Sequence, residues 1–158
     1  MFTQRSLIRK NSKELQDKLH KLGYDICGCC NYDDSMWLNT DRDSVHGIGY
    51  NYGKIDLNGY DTVDKRLNLF LENNENSENK AIDCGKNEDL FLAIAALRYD
   101  SDYMQYFVCD EDYITYSMNE HKKGEFILFD GVKAHINKAK PFWHKATVQE
   151  LIEHFNSK

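Results

Sequence analysis

With 158 residues, 41% hydrophobic and 13% aromatic, the chain can remove about two thirds of its unfolded surface from water, which excludes a disordered segment and fits one domain. A charged fraction of 29% describes a well-hydrated exterior, and a net charge of -6 repels a phosphate backbone, so nucleic acid is not an expected partner. No apolar run approaches the roughly 20 residues of a membrane helix, residues 1–8 lack the apolar centre of a secretory signal, and five cysteines, an odd number, fit reduced thiols; a cytoplasmic protein is expected.

Asn11 as a cap, Glu14 three residues later, and Leu15, Leu19 and Leu22 on one face predict a helix over 12–22, with Gly23 as its left-handed stop. Residues 24–30, 35–39 and 44–50 read as three strands of an antiparallel meander, separated by the turn-forming clusters 31–34 and 40–43. Gly47 and Gly49 alternate with His46, Ile48 and Tyr50, which implies a bare strand face lying close to other backbone or to packed aromatics. Val63, Leu67, Leu69, Phe70 and Leu71 form an apolar patch, and 72–80 reads as an exposed polar loop within a single domain spanning 1–158.

Asp83-Cys84-Gly85 is a turn. After it come an acidic first turn at Glu88 and Asp89 and an apolar run from Leu90 to Leu97, the pattern of a buried central helix over 88–98. Strands are expected at 103–109, 113–117 and 125–129, with turns at 110–112 and 119–124 and a further strand at 133–138 ended by Pro141. Thr147 and Glu150 make a capping box that opens a last amphipathic helix, with Val148, Leu151, Ile152 and Phe155 facing inward. Consecutive strand runs between helices describe an α+β fold: a mainly antiparallel sheet, an N-terminal helix, a buried central helix and a C-terminal amphipathic helix.

Cys27 and Cys30 have the two-residue spacing that presents two thiolates to one zinc ion, with His46, Cys84 and Cys109 available to complete a site; no other cofactor is indicated. The alternative is a strand in which Cys27 and Cys29 share one face and Ile26, Gly28 and Cys30 the other, the small thiols filling core space. Cys84 precedes a central helix and His135 follows on a later strand beside Asn137, the order of a thiol hydrolase with a Cys84 nucleophile and a His135 base. Glu150 and His154 form an i,i+4 pair, Asp100 to Asp102 and Asp110 to Asp112 lack the glycine and glutamate of a calcium loop, and no phosphate-binding glycine loop is present.

Residues 83–98 continuing to Gln105-Tyr106-Phe107, together with 144–155, resemble small uncharacterised proteins encoded by phages and prophages of gut bacteria. The resemblance implies a mobile-element origin and an interaction role, in the virion or on a host factor, and transfers no catalytic residue. With ten tyrosines and an acidic surface, the leading expectation is a small intracellular binding module that contacts an unidentified protein partner through Tyr50, Tyr52, Tyr60 and Trp143.

Overall fold

The computed structural model describes residues 1–48, 80–130 and 142–156. They belong to two compact units, Met1–Tyr99 and Asp100–Lys158. Among the described residues, three helices and mostly antiparallel strand pairs make the fold α+β. Among the described residues no helix is long and apolar enough to cross a membrane. Tyr50, Tyr52, Tyr60 and His135 lie outside the described residues, as do the apolar patch at 63–71, the polar loop apart from Lys80, and the strand expected at 133–138.

In the first unit, β1 (Ser6–Ile8) leads into α1 (Lys13–Leu22). Ser12 is the helix cap, its Oγ accepting from the Leu15 amide at 3.2 Å. Asn11, the residue expected there, is used differently: its Nδ2 donates to the carbonyls of Cys30 at 2.5 Å and Asp33 at 2.6 Å, and its Oδ1 accepts from Gln16. Gly23 ends the helix at φ 114°, as its position predicts. Leu15, Leu19 and Leu22 are buried, each contributing about 1.5–3 kcal/mol by leaving water. α1 packs on α2 (Glu88–Ala95) and on β2 (Asp25–Ile26). Tyr24, fully buried, stacks on Phe2 at 3.9 Å and donates its hydroxyl to the Ala95 carbonyl at 3.0 Å.

The sheet of this unit also contains β3 (Met36–Asn39), β4 (Ser44–Gly47) and β5 (Ile82–Asp83), in the order β2-β4-β3-β1-β5. Only β3 and β4 form the expected hairpin; β2 runs parallel to β4, and β1 is inserted between β3 and β5. The meander reading fails because β1 is a short run buried at all three residues, with no polar alternation to announce it. The stretch read as a strand through Cys30 also breaks early. After Ile26 the chain turns into a 3-10 helix, Gly28–Tyr32, closed by the Cys30 amide donating to the Cys27 carbonyl at 3.0 Å and held by the Asn11 side chain.

α2 is capped by Asn87, whose Oδ1 accepts from the Leu90 amide at 3.0 Å. It buries Leu90, Phe91, Ala93, Ile94 and Ala95. It stops at Ala95, shorter than the run to Arg98 implied, because Arg98 turns back to donate to the Leu22 carbonyl and to cover the Phe2 ring at 4.6 Å.

In the second unit, β6 (Gln105–Cys109) is the centre of an antiparallel sheet, flanked by β9 (Phe126–Phe129) and β10 (Trp143–Lys145). β7 (Tyr113–Ile114) and β8 (Glu120–His121) form a separate ribbon. The strand expected over 113–117 is therefore cut short, and part of the expected 119–124 turn is strand: Met118 at φ 65° and the Thr115 amide donating to the Asn119 carbonyl reverse the chain earlier. α3 (Val148–Asn156) opens with the predicted capping box, Thr147 Oγ1 accepting from the Glu150 amide and Glu150 Oε2 from the Thr147 amide.

Trp143, expected as an exposed contact, is buried. It packs with Phe107 and Cys109, and its Nε1 donates to the Tyr113 hydroxyl at 2.6 Å, because β10 pairs Trp143 directly opposite Cys109 on the core face. Glu150 does not pair with His154, whose ring stacks on Phe126 at 3.9 Å; it meets His144 instead.

Candidate metal centre

Two backbone devices bring distant residues together in the first unit. The break after Ile26 lets Cys27 and Cys29 turn their sulfurs to the same side, and the Cys27 amide donates to the Val45 carbonyl at 2.9 Å, fastening the turn to β4. On β4, residues two apart share a face, so Ser44 and His46 project together. The result is a group of three donors, Cys27 Sγ, Cys29 Sγ and a His46 ring nitrogen, all within 4.8 Å of one another.

That spacing can be tested against an ion. With metal–sulfur and metal–nitrogen bonds of about 2.3 and 2.05 Å, tetrahedral zinc needs sulfurs about 3.8 Å apart and a sulfur-to-nitrogen distance of about 3.6 Å. Cys29 Sγ and His46 Nδ1 are 3.9 Å apart, so closure around an ion asks for a few tenths of an ångström. The donor set, two thiols and an imidazole, is one that zinc accepts.

The second ring nitrogen is also held. Ser44 Oγ lies 2.8 Å from His46 Nε2, and with Nε2–H donating to it the Nδ1 lone pair faces Cys29. The ring lies against Trp37, its partner across the β3–β4 pair, at 5.4 Å between centroids. Burial, with Arg42 adding to it, holds the His46 pKa below its ordinary value, which keeps the ring in the neutral form that binds metals.

The Gly47 amide donates to Cys29 Sγ at 3.1 Å, a bond that favours thiolate. Burial and the hydrogen bond with Cys27 act the other way and push the Cys29 thiol up to about 11. An ion would reverse that balance by replacing the proton outright. Gly47 itself is required: a Cβ there would run into the Asp33 carboxylate and lie 2.7 Å from the Cys29 carbonyl oxygen. The sequence expectation that this strand face lies against other backbone holds at Gly47.

Cys30 is not part of the group. Its thiol donates to the Val45 carbonyl at 3.5 Å, and burial, with the neighbouring Cys29 and Cys27 adding to it, pushes it up to about 12. Among the described residues the three-donor group thus joins Cys27 to Cys29 and His46 rather than to Cys30. The signal in the sequence was Cys-Gly-Cys followed by a histidine in the second strand of a hairpin; only the sheet register brings them together.

Cys84 follows β5 directly and lies three residues before the α2 cap, outside the helix's first turn. It is 5% exposed, and burial, with Asp83 adding to it, pushes its thiol up to about 12, opposite to what a nucleophile needs. Cys109 packs in the core of the second unit, its thiol donating to the Glu111 carbonyl. Comparisons with protein-family models, curated proteins and solved structures find no match for this chain, so the functional reading stands on the Cys27, Cys29 and His46 geometry.

Proposed function

We propose that the protein is a small zinc-binding α+β module in which Cys27, Cys29 and His46 hold one ion. The supporting observation is the convergence of two sulfurs and an oriented imidazole within 4.8 Å, from a turn and a strand whose Cys29 and His46 are 17 residues apart in the sequence. Three protein donors leave the fourth tetrahedral position for water or an outside group. The ion would tie the Cys27 turn to β4 and add its binding free energy to the stability of the first unit, about 2.7 kcal/mol at a free zinc concentration one hundred times the dissociation constant. Binding releases the thiol protons, so affinity rises with pH.

Purified protein is expected to retain about one equivalent of zinc by elemental mass spectrometry, and cobalt substitution to give thiolate charge-transfer absorption. Cys29→Ser and His46→Ala should each abolish that signal, while Ser44→Ala weakens affinity about 10- to 100-fold. A protein that takes up neither ion, or whose uptake ignores Cys29 and His46, overturns the reading.

A second reading, a protein-binding module, draws on the β7–β8 ribbon. Ile114 and Met118 are 62% and 79% exposed and Tyr116 is fully exposed, an apolar tip of the kind used for partner contacts. A photo-crosslinker placed at position 116 should trap one defined protein, and Met118→Ser should eliminate that product; trapping that is unchanged by the substitution argues against it.

A further inference from the structure

We propose that Cys27 and Cys29 form a reversible disulfide across Gly28, so that the pair holding the ion in the reduced protein releases it when oxidised by a low-molecular-weight disulfide. The release rests on the zinc reading above; the ring does not.

The geometry sets both the partners and the order of events. The two sulfurs are neighbours, within 4.8 Å of each other. A disulfide accepts Cα separations of about 4.4–6.8 Å, a span that residues joined through one glycine can cover. Nothing lies within 4 Å of where a Gly28 Cβ would stand, so the small ring has room to pucker. Cys27 is half-buried and can be approached from solvent, whereas Cys29 is 4% exposed and is reached through Cys27. Cys30, the adjacent thiol, lies outside the three-donor group and donates to the Val45 carbonyl.

The chemistry balances without a further reactant. Cys27 sulfur attacks one sulfur of the small disulfide, forming a mixed disulfide and expelling one small thiolate, which takes up the Cys27 proton in the metal-free protein and a proton from solvent where zinc has already displaced it. Cys29 sulfur then attacks Cys27 sulfur and expels the second small thiolate, which is protonated in the same way. Two protein thiols are oxidised by two electrons and one small disulfide is reduced to two thiols. Of the three donors, His46 alone remains for the ion.

The test treats zinc-loaded and chelator-stripped wild-type protein, with Cys30→Ala and His46→Ala, with oxidised glutathione, following intact mass, peptide maps and zinc release to a chromogenic chelator. The expected result is a mass lower by two hydrogens, a Cys27–Cys29 link in all three proteins, and stoichiometric zinc release from the wild type that dithiothreitol and added zinc reverse. A Cys27–Cys30 link, or a glutathione adduct that persists on Cys27, overturns the proposal. If the ring forms but the protein never held zinc, the metal reading and the release fall while the thiol pair stands. If zinc binds and leaves with no ring, the redox proposal alone falls.

Discussion

Substituting alanine at Gly47 and at Gly28 makes the same chemical change in two environments of one site. At Gly47 the added methyl meets the Asp33 carboxylate and stands 2.7 Å from a backbone oxygen, that of Cys29, which cannot rotate away as a flexible side chain would. Either the 3-10 turn or β4 must shift, and overpacking of this kind costs about 1–3 kcal/mol. At Gly28 the methyl meets nothing within 4 Å, and the residue begins a 3-10 helix, so alanine should be neutral or stabilise by up to about 1 kcal/mol through the unfolded chain. Urea unfolding can be followed by Trp37 fluorescence in a Trp143→Phe background, because Trp37 lies against the His46 ring. With a slope near 2 kcal/mol per molar urea, a 2 kcal/mol loss moves the midpoint down by about 1 M. The Gly47→Ala shift should come with weaker metal uptake, since the same movement pulls the Gly47 amide from Cys29 Sγ. Equal midpoints for the two variants would refute the close approach at Gly47 and the site built on it.

Three other outcomes are expected. Tyr24→Phe removes the buried hydroxyl bonded to the Ala95 carbonyl and should destabilise the first unit by about 1 kcal/mol; an unchanged unfolding midpoint would contradict that bond. His144 lies between Asp110, 2.5 Å from Nδ1, and Glu150, 3.0 Å from Nε2; burial opposes its charge, but the bonds to Glu150 and Asp110 outweigh it and raise its pKa. Its contribution is therefore complete below the ordinary histidine value of about 6.5 and is lost as pH rises through the raised one, which an NMR titration of the ring should show and a midpoint below 6.5 would refute. Iodoacetamide near neutral pH should modify Cys27 well before Cys84, whose thiol is buried and pushed up to about 12; first reaction at Cys84 would favour the thiol-hydrolase reading.

Features carried by neighbouring residues were legible in the chain. Gly23 stops α1, the acids Glu88 and Asp89 mark the first turn of α2, and Thr147 with Glu150 caps α3, because each device acts on backbone groups within four residues. The α+β class followed from the same local patterns. Where two adjacent residues competed, as Asn11 and Ser12 did for the α1 cap, the outcome depended on the remote carbonyls of Cys30 and Asp33 that Asn11 serves instead.

The sequence by itself determined the helices, their buried faces and the bare strand face at Gly47, since these depend on period and on backbone freedom. Tertiary structure alone decided that Ser6–Ile8 sits inside the sheet, that Trp143 is core, and that Cys29 rather than Cys30 joins Cys27. The reason is that strand pairing and donor clustering are set by contacts between residues far apart in the chain. A spacing of cysteines names the chemistry available, but the conformation of one turn chooses which thiols meet, and the register of β4 brings His46 to them.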